Sequence, residues 1–198
     1  MKINNLIKIL TFSDIIVLSG WGLVSPLIAV FITDQIKGGN LELVGLSTAV
    51  FLVTRSILQL PFARLIDKKK GEIDDFIVMA IGSFMVCSTA FLYIFSSTAT
   101  HILLLQFYHG LGAAMTLPGW YAIFTRHIDR HKEAEEWSFY GAFVGLGGAL
   151  AGALGGFLAE KMGFRPLFLL VGIICTFGTS FLFFVYQDLR MAEKKHGR

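Results

Sequence analysis

The chain has 198 residues, 55% of them hydrophobic and only 16% charged, with a formal net charge of +3. A soluble domain of this size cannot hide that much apolar surface in one core. The small positive excess is split among short connectors, so a nucleic-acid partner is not expected either.

The apolar residues come in six blocks, 9–33, 43–63, 76–95, 102–125, 137–159 and 166–186. Each reaches the roughly 20 helical residues that cross a hydrocarbon layer of about 30 Å. None alternates polar and apolar residues as a barrel strand would. The predicted fold is all-α: one membrane domain over 1–198, a bundle of six transmembrane helices in the lipid bilayer.

The first block is too long for a cleavable signal and lacks a small-residue cleavage site. It carries Asp14 near its start and Trp21 between Gly20 and Gly22, a predicted flexible point. The second block carries Arg55, with Gln59 one turn further on. Asp14 and Arg55 lie about 8 and 12 Å from the same face if the two helices run antiparallel. An arginine that deep needs a partner or water. An Asp14–Arg55 ion pair is therefore expected, serving proton coupling or gating. The alternatives are that Ser13–Asp14 caps the helix start and that Arg55 snorkels to the surface.

Eight of the twelve residues from Arg64 to Asp75 are charged. This connector either anchors topology or, through Arg64, Asp67 and Lys68, gates the cytoplasmic side. Asp74 and Asp75 then open the third block, where acids suit a helix N-terminus. The fourth block carries His109 near mid-depth, with Gln106 three residues earlier on the same face. A histidine there fits proton or substrate binding, and equally a neutral side chain bonded to a neighbouring helix. Pro118 precedes Trp120 and Tyr121, aromatic candidates for cavity contact or for packing. His127, Asp129, His131 and Glu133 alternate in the next connector; they read as a solvated charged loop, and no metal site is expected. The fifth block is glycine-rich. Gly145, Gly148 and Gly152 share one helix face, for close packing in the bundle or for sliding against a partner. Cys87 and Cys175 fall inside blocks and read as buried thiols.

Lys and Arg decide orientation in short connectors. Residues 1–8, 64–75, 126–136 and 187–198 hold thirteen of them, against three in 34–42, 96–101 and 160–165. Both termini are thereby assigned to the cytoplasm, in a cell membrane. Leu65-Ile66-Asp67-Lys68 after the second block is echoed by Leu158-Ala159-Glu160-Lys161 after the fifth. The echo predicts two inverted three-helix repeats, as found within six-helix halves of secondary transporters.

Four stretches carry a family resemblance. Asp67-Lys68, with Lys70 and Gly71, is similar to the G-x-L-x-D-[RK]-x-G-[RK]-[RK] loop between the second and third helices of the major facilitator superfamily; Ala63 stands at the first Gly. Gln106-Phe107-Tyr108-His109-Gly110-Leu111-Gly112-Ala113-Ala114 resembles that family's R-x-x-Q-G-x-G-A-A, with Gln106 for Arg and His109 for Gln. The run Gly145 to Gly156 resembles the Gly-rich fifth helix, and Gly163-Phe164-Arg165 the G-W-R that opens the sixth. The resemblance implies a transporter of a small-molecule substrate, with twelve helices in two halves and cargo held between them. It implies that the fourth helix faces the cavity and that Asp67 pairs with basic groups on the cytoplasmic side. This chain matches one half. The expected function is a half-size secondary transporter of a small organic solute, working as a homodimer by alternating access, with proton coupling. The alternatives are a non-transporting subunit or regulatory partner, and a fragment of a twelve-helix transporter. No nucleotide-binding loop and no hydrolase or protease motif occurs, so neither an enzyme nor a cofactor is expected.

Overall fold

The computed structural model describes residues 4–68 and 71–196; Lys69 and Lys70 of the charged connector, Lys70 of the resemblance included, lie outside them. The described residues form eight α-helices. Helix α1 (Asn5–Gly22) opens on Asn4, whose side chain accepts a hydrogen bond from the Leu6 amide. It stops at Gly22. A 3-10 turn (Ser25–Leu27) containing Pro26 and a short α2 (Ile28–Gln35) complete the first span. Pro26 stands in the first turn after the break, where its missing N–H costs no hydrogen bond; the span is broken one residue past the expected flexible point at Trp21.

Helix α3 (Leu41–Lys68) contains Pro61, and Asn40 accepts from the Leu43 amide at its start. Helix α4 (Glu72–Tyr93) opens on Glu72, Asp74 and Asp75, acids that favour a helix N-terminus. Helix α5 (Ala99–His127) is capped by Thr98 and contains Pro118. Helix α6 (Glu133–Met162) ends at Gly163, whose φ of 80° allows α7 (Phe164–Ser180) to start at the next residue. That left-handed turn is the physical reason for the glycine in Gly163-Phe164-Arg165. Helix α8 (Leu182–His196) follows α7 after Phe181.

Five helical segments among the described residues are long and apolar enough to cross a membrane: Asn5–Gln35, Leu41–Lys68, Glu72–Tyr93, Glu133–Met162 and Phe164–Met191. The expected fourth span is α5. Its 29 residues are long enough, but Gln106, Tyr108, His109 and Thr116 make its middle more polar.

Helix α5 packs against α3 and α4, α1 packs against α6 and α7, and α4 meets α7. Between helices in lipid, packing depends on close van der Waals approach and not on removal from water. Small residues supply it here. A Cβ on Gly155 would sit 1.9 Å from the Leu23 carbonyl oxygen, and one on Gly82 would sit 2.5 Å from that of Gly112. The α1–α6 seam is thus built on Gly147, Ala151 and Gly155 against Ser19, Gly22 and Leu23. The expected triad stands beside it: a Cβ on Gly145 or Gly148 would meet nothing within 4 Å, and one on Gly152 reaches only the Gly22 oxygen at 3.8 Å. In so glycine-rich a helix both the i, i+3, i+7 and the i, i+4, i+8 rows are small, so spacing cannot choose between them.

Two apolar clusters close the bundle. One gathers Phe31, Ile32, Tyr93, Leu167 and Phe168, with Tyr93 and Phe168 stacked at 4.8 Å. The other gathers Leu6, Leu10, Met79, Ile123, Phe124 and Val185. Connectors also meet pairwise. The Lys37 amide donates to the Ser97 carbonyl at 3.0 Å, and Asn4 Nδ2 donates to the His127 carbonyl at 3.4 Å. The chain therefore alternates between two ends of the bundle.

Candidate functional site

A cavity of about 520 Å³ runs through the middle of the bundle, lined from α1, α3, α4, α5, α6 and the α7–α8 region. Apolar side chains dominate its wall. Three ionisable groups other than tyrosine line it: Asp14, Arg55 and His109.

Asp14 faces an aromatic wall. Tyr140 of α6 donates its hydroxyl to Asp14 Oδ2 at 2.9 Å. Trp120 lies 4.9 Å from the Tyr140 ring and 5.9 Å from Trp137, and Tyr121 lies 6.5 Å from Trp137. All four aromatics line the cavity. The ion pair expected between Asp14 and Arg55 is not formed. Ser13, the expected partner in a helix-start cap, instead donates to the Gly178 carbonyl at 2.9 Å in the interior of α1.

Arg55 lies over the Phe51 ring, one turn earlier on α3, at 5.6 Å. Its Nε is buried and has no hydrogen-bond partner. His109 stacks on Trp21 at 4.6 Å and 16° and touches Phe51 at 4.8 Å. The indole nitrogens of Trp21 and Trp120 are likewise buried without acceptors. Gln106 reaches the cavity but spends its amide on Tyr93 Oη at 3.1 Å.

Of the expected cavity residues, Asp14, Trp21, Arg55, Gln106, His109, Trp120 and Tyr121 line one space, whereas Gln59 does not. Arg64, Asp67 and Lys68 stand on the exposed end of α3, because the helix continues to Lys68 where a loop was expected. The cysteines are free and buried, with Cys87 Sγ 2.9 Å from Thr179 Oγ1. Among the described residues no group of three or more His, Cys, Asp and Glu side chains is placed to hold a metal ion.

Two features escaped the sequence reading. Trp137 and Tyr140 complete the aromatic wall; their cue was a Trp and a Tyr three residues apart at the start of a span. At the bundle end, fully buried Asp75 takes an ion pair from Arg126 of α5, with Glu72 3.9 Å from Arg126 and 3.8 Å from His127. Here the cue was opposite charges at the facing ends of two consecutive, hence antiparallel, spans.

The family model described as Major Facilitator Superfamily matches residues 10–198. The chain belongs to the Major Facilitator Superfamily. It is 25% identical over 166 residues to the quinolone resistance protein NorA of Staphylococcus aureus, covering 83% of this chain and 41% of that one. It is 26% identical over 157 residues to the inner membrane transport protein YajR of Escherichia coli K12, covering 77% of this chain and 32% of that one. The chain thus spans about two fifths and one third of these relatives. Membership makes it a multi-pass membrane protein of a transporter superfamily, and not an enzyme.

Proposed function

We propose that this chain is the six-span, cavity-bearing unit of a secondary active transporter for a small organic solute. The observation that carries the reading is the central cavity: an acid, a guanidinium, an imidazole and an aromatic wall face one space inside a facilitator-superfamily bundle. Intramembrane ionisable groups are costly and mark substrate or ion pathways. The organic cargo is further supported by the quinolone-resistance name of the staphylococcal relative.

The helices pair as inverted repeats require. Exchanging the first three spans for the last three turns the α3–α5 contact into the α6–α1 contact, and the α4–α5 contact into the α7–α1 contact. Such repeats rock about a fixed site. Both termini lie in the cytoplasm, on the lysine- and arginine-rich side. Asp14 and His109 are the groups through which protons couple to transport. Trp21, Gln106, Trp120 and Tyr121 contact the solute. Arg64, Asp67 and Lys68 at the end of α3 gate the cytoplasmic side.

The second wall is another six-span unit, in the leading case a second copy. Only 17% and 11% of the most apolar stretches of α3 and α6 are buried, against 39% for α4 and for Phe164–Met191. The open position at exposed Gly145 gives α6 a smooth surface for a moving partner. Native mass spectrometry in nanodiscs tests this directly. A dimer with solute uptake driven by a pH gradient in proteoliposomes is expected. A monomer without flux would sink the homodimer and leave a subunit or part of a larger transporter.

A further inference from the structure

We infer that the cavity is built for a flat, zwitterionic ligand, with a cationic group held at Asp14 and an anionic group held at Arg55. The inference rests on the transport reading above and names its substrate class.

The two ends of the cavity ask for opposite charges. At one end Tyr140 holds the carboxylate of Asp14, and the rings of Trp120 and Trp137 pack on Tyr140 in the same cavity wall. A carboxylate among aromatic faces recognises a cation twice, by charge and by the ring quadrupoles. Tyr140 occupies one of its oxygens, Oδ2.

At the other end the groups are donors. Arg55 Nε and Trp21 Nε1 are buried with no acceptor, and among the described residues Arg55 has no acidic partner within ion-pair distance. Asp14 is the one carboxylate in the lining, and it does not serve Arg55. A ligand that settles beside these donors must supply the acceptors itself. A carboxylate suits the guanidinium fork in charge and shape.

The wall beside the donors is aromatic. Trp21 and His109 lie nearly parallel at 4.6 Å, and Phe51 joins them. Asp14 and Trp21 are seven residues apart on α1, a rise of about 10 Å. A fused ring system bearing its two charges at separated positions spans that distance, and 520 Å³ falls in the range of pockets for drug-sized ligands.

Three dyes on one xanthene ring separate the possibilities. Rhodamine 110 carries a delocalised cation and a free carboxylate, its methyl ester rhodamine 123 keeps only the cation, and fluorescein keeps the carboxylate without the amines. Binding to the full chain in nanodiscs is read by fluorescence polarisation. Rhodamine 110 is expected to bind at least tenfold more tightly than either relative. Arg55→Gln should bring it down to the level of the ester while ester binding moves less than twofold. Asp14→Asn should remove its advantage over fluorescein. Trp21→Phe keeps an aromatic face but deletes the indole N–H with its five-membered ring, and should weaken rhodamine 110 about threefold more than it weakens the ester; Arg55→Lys should restore part of what Arg55→Gln loses. Equal binding of rhodamine 110 and its ester overturns the inference and leaves the transport reading standing. Binding of none of the three dyes overturns both.

Discussion

At one end of the bundle Asp75 and Arg126 close an ion pair across α4 and α5, whereas in its middle Asp14 and Arg55 line one cavity without meeting. The first pair sits where two neighbouring helices end and pack tightly. Gly119 lies so close to the Asp75 carbonyl that a Cβ would come within 2.6 Å of it. Glu72 and His127 add further charge around the pair. The second pair is held open by a cavity, with Tyr140 on the acid and Phe51 beneath the guanidinium. The difference separates two uses of charge inside a membrane protein. A closed pair fixes architecture, and an open one is left for something that enters.

The largest effect is expected where the pair is closed. Arg126→Met leaves the fully buried Asp75 carboxylate without its cation. Breaking a fully buried pair costs about 3–5 kcal/mol. Arg126 is 42% exposed, so solvent screening brings the expectation down to about 2 kcal/mol. Denaturant unfolding in detergent measures it, and a loss below about 0.5 kcal/mol would mean that the pair is ornamental. Asp75→Asn should cost less, about 1 kcal/mol, because the released guanidinium can turn to water and to Glu72. The order of the two variants is the sharper check. If Asp75→Asn is the worse, the buried acid is not the vulnerable partner.

How much of this contrast was readable in the sequence depends on the range of the interaction. Block length and composition were enough for the helices, because a backbone in lipid must satisfy its hydrogen bonds within the segment. Depth along each helix put Asp14, Arg55 and His109 inside the spans, and the three line one cavity. Azimuth was not. Asp14 met Tyr140, 126 residues away, because α1 packs on α6, and nothing local to residue 14 specifies that neighbour. The same limit hid the α1–α6 seam, where Gly147 and Gly155 were as small as Gly145 and Gly152. Gln59 missed the cavity although one turn from Arg55. Asp75 was read through its own helix terminus, where an acid needs no further partner, and so Arg126 went unmatched.

A middling effect is expected at the edge of the cavity. Tyr140→Phe removes one hydrogen bond to Asp14 and keeps the ring, at a cost of about 1 kcal/mol. Because the aromatic wall stays in place, rhodamine 110 binding should change by less than the Asp14→Asn variant changes it. A larger loss of binding in Tyr140→Phe would show that the hydroxyl itself contacts the ligand.

The smallest effect on stability is expected for Arg55→Gln, and it decides the comparison. The substitution forfeits the contact with Phe51, of the kind worth about 0.5–1 kcal/mol at exposed sites. It also removes a guanidinium whose Nε is buried without an acceptor, which is a gain of similar size. The two nearly cancel, so the net change should fall within about 0.5 kcal/mol. A double-mutant cycle with Asp14→Asn then reads the coupling directly. Residues without a shared interaction add to within about 0.5 kcal/mol. Additivity would mean that the two charges are independent in the unliganded protein and available to a ligand. A coupling above about 1 kcal/mol would mean that Asp14 and Arg55 pair after all. The cavity would then carry its own counter-charge, as Asp75 and Arg126 do, and the contrast between the two sites would collapse.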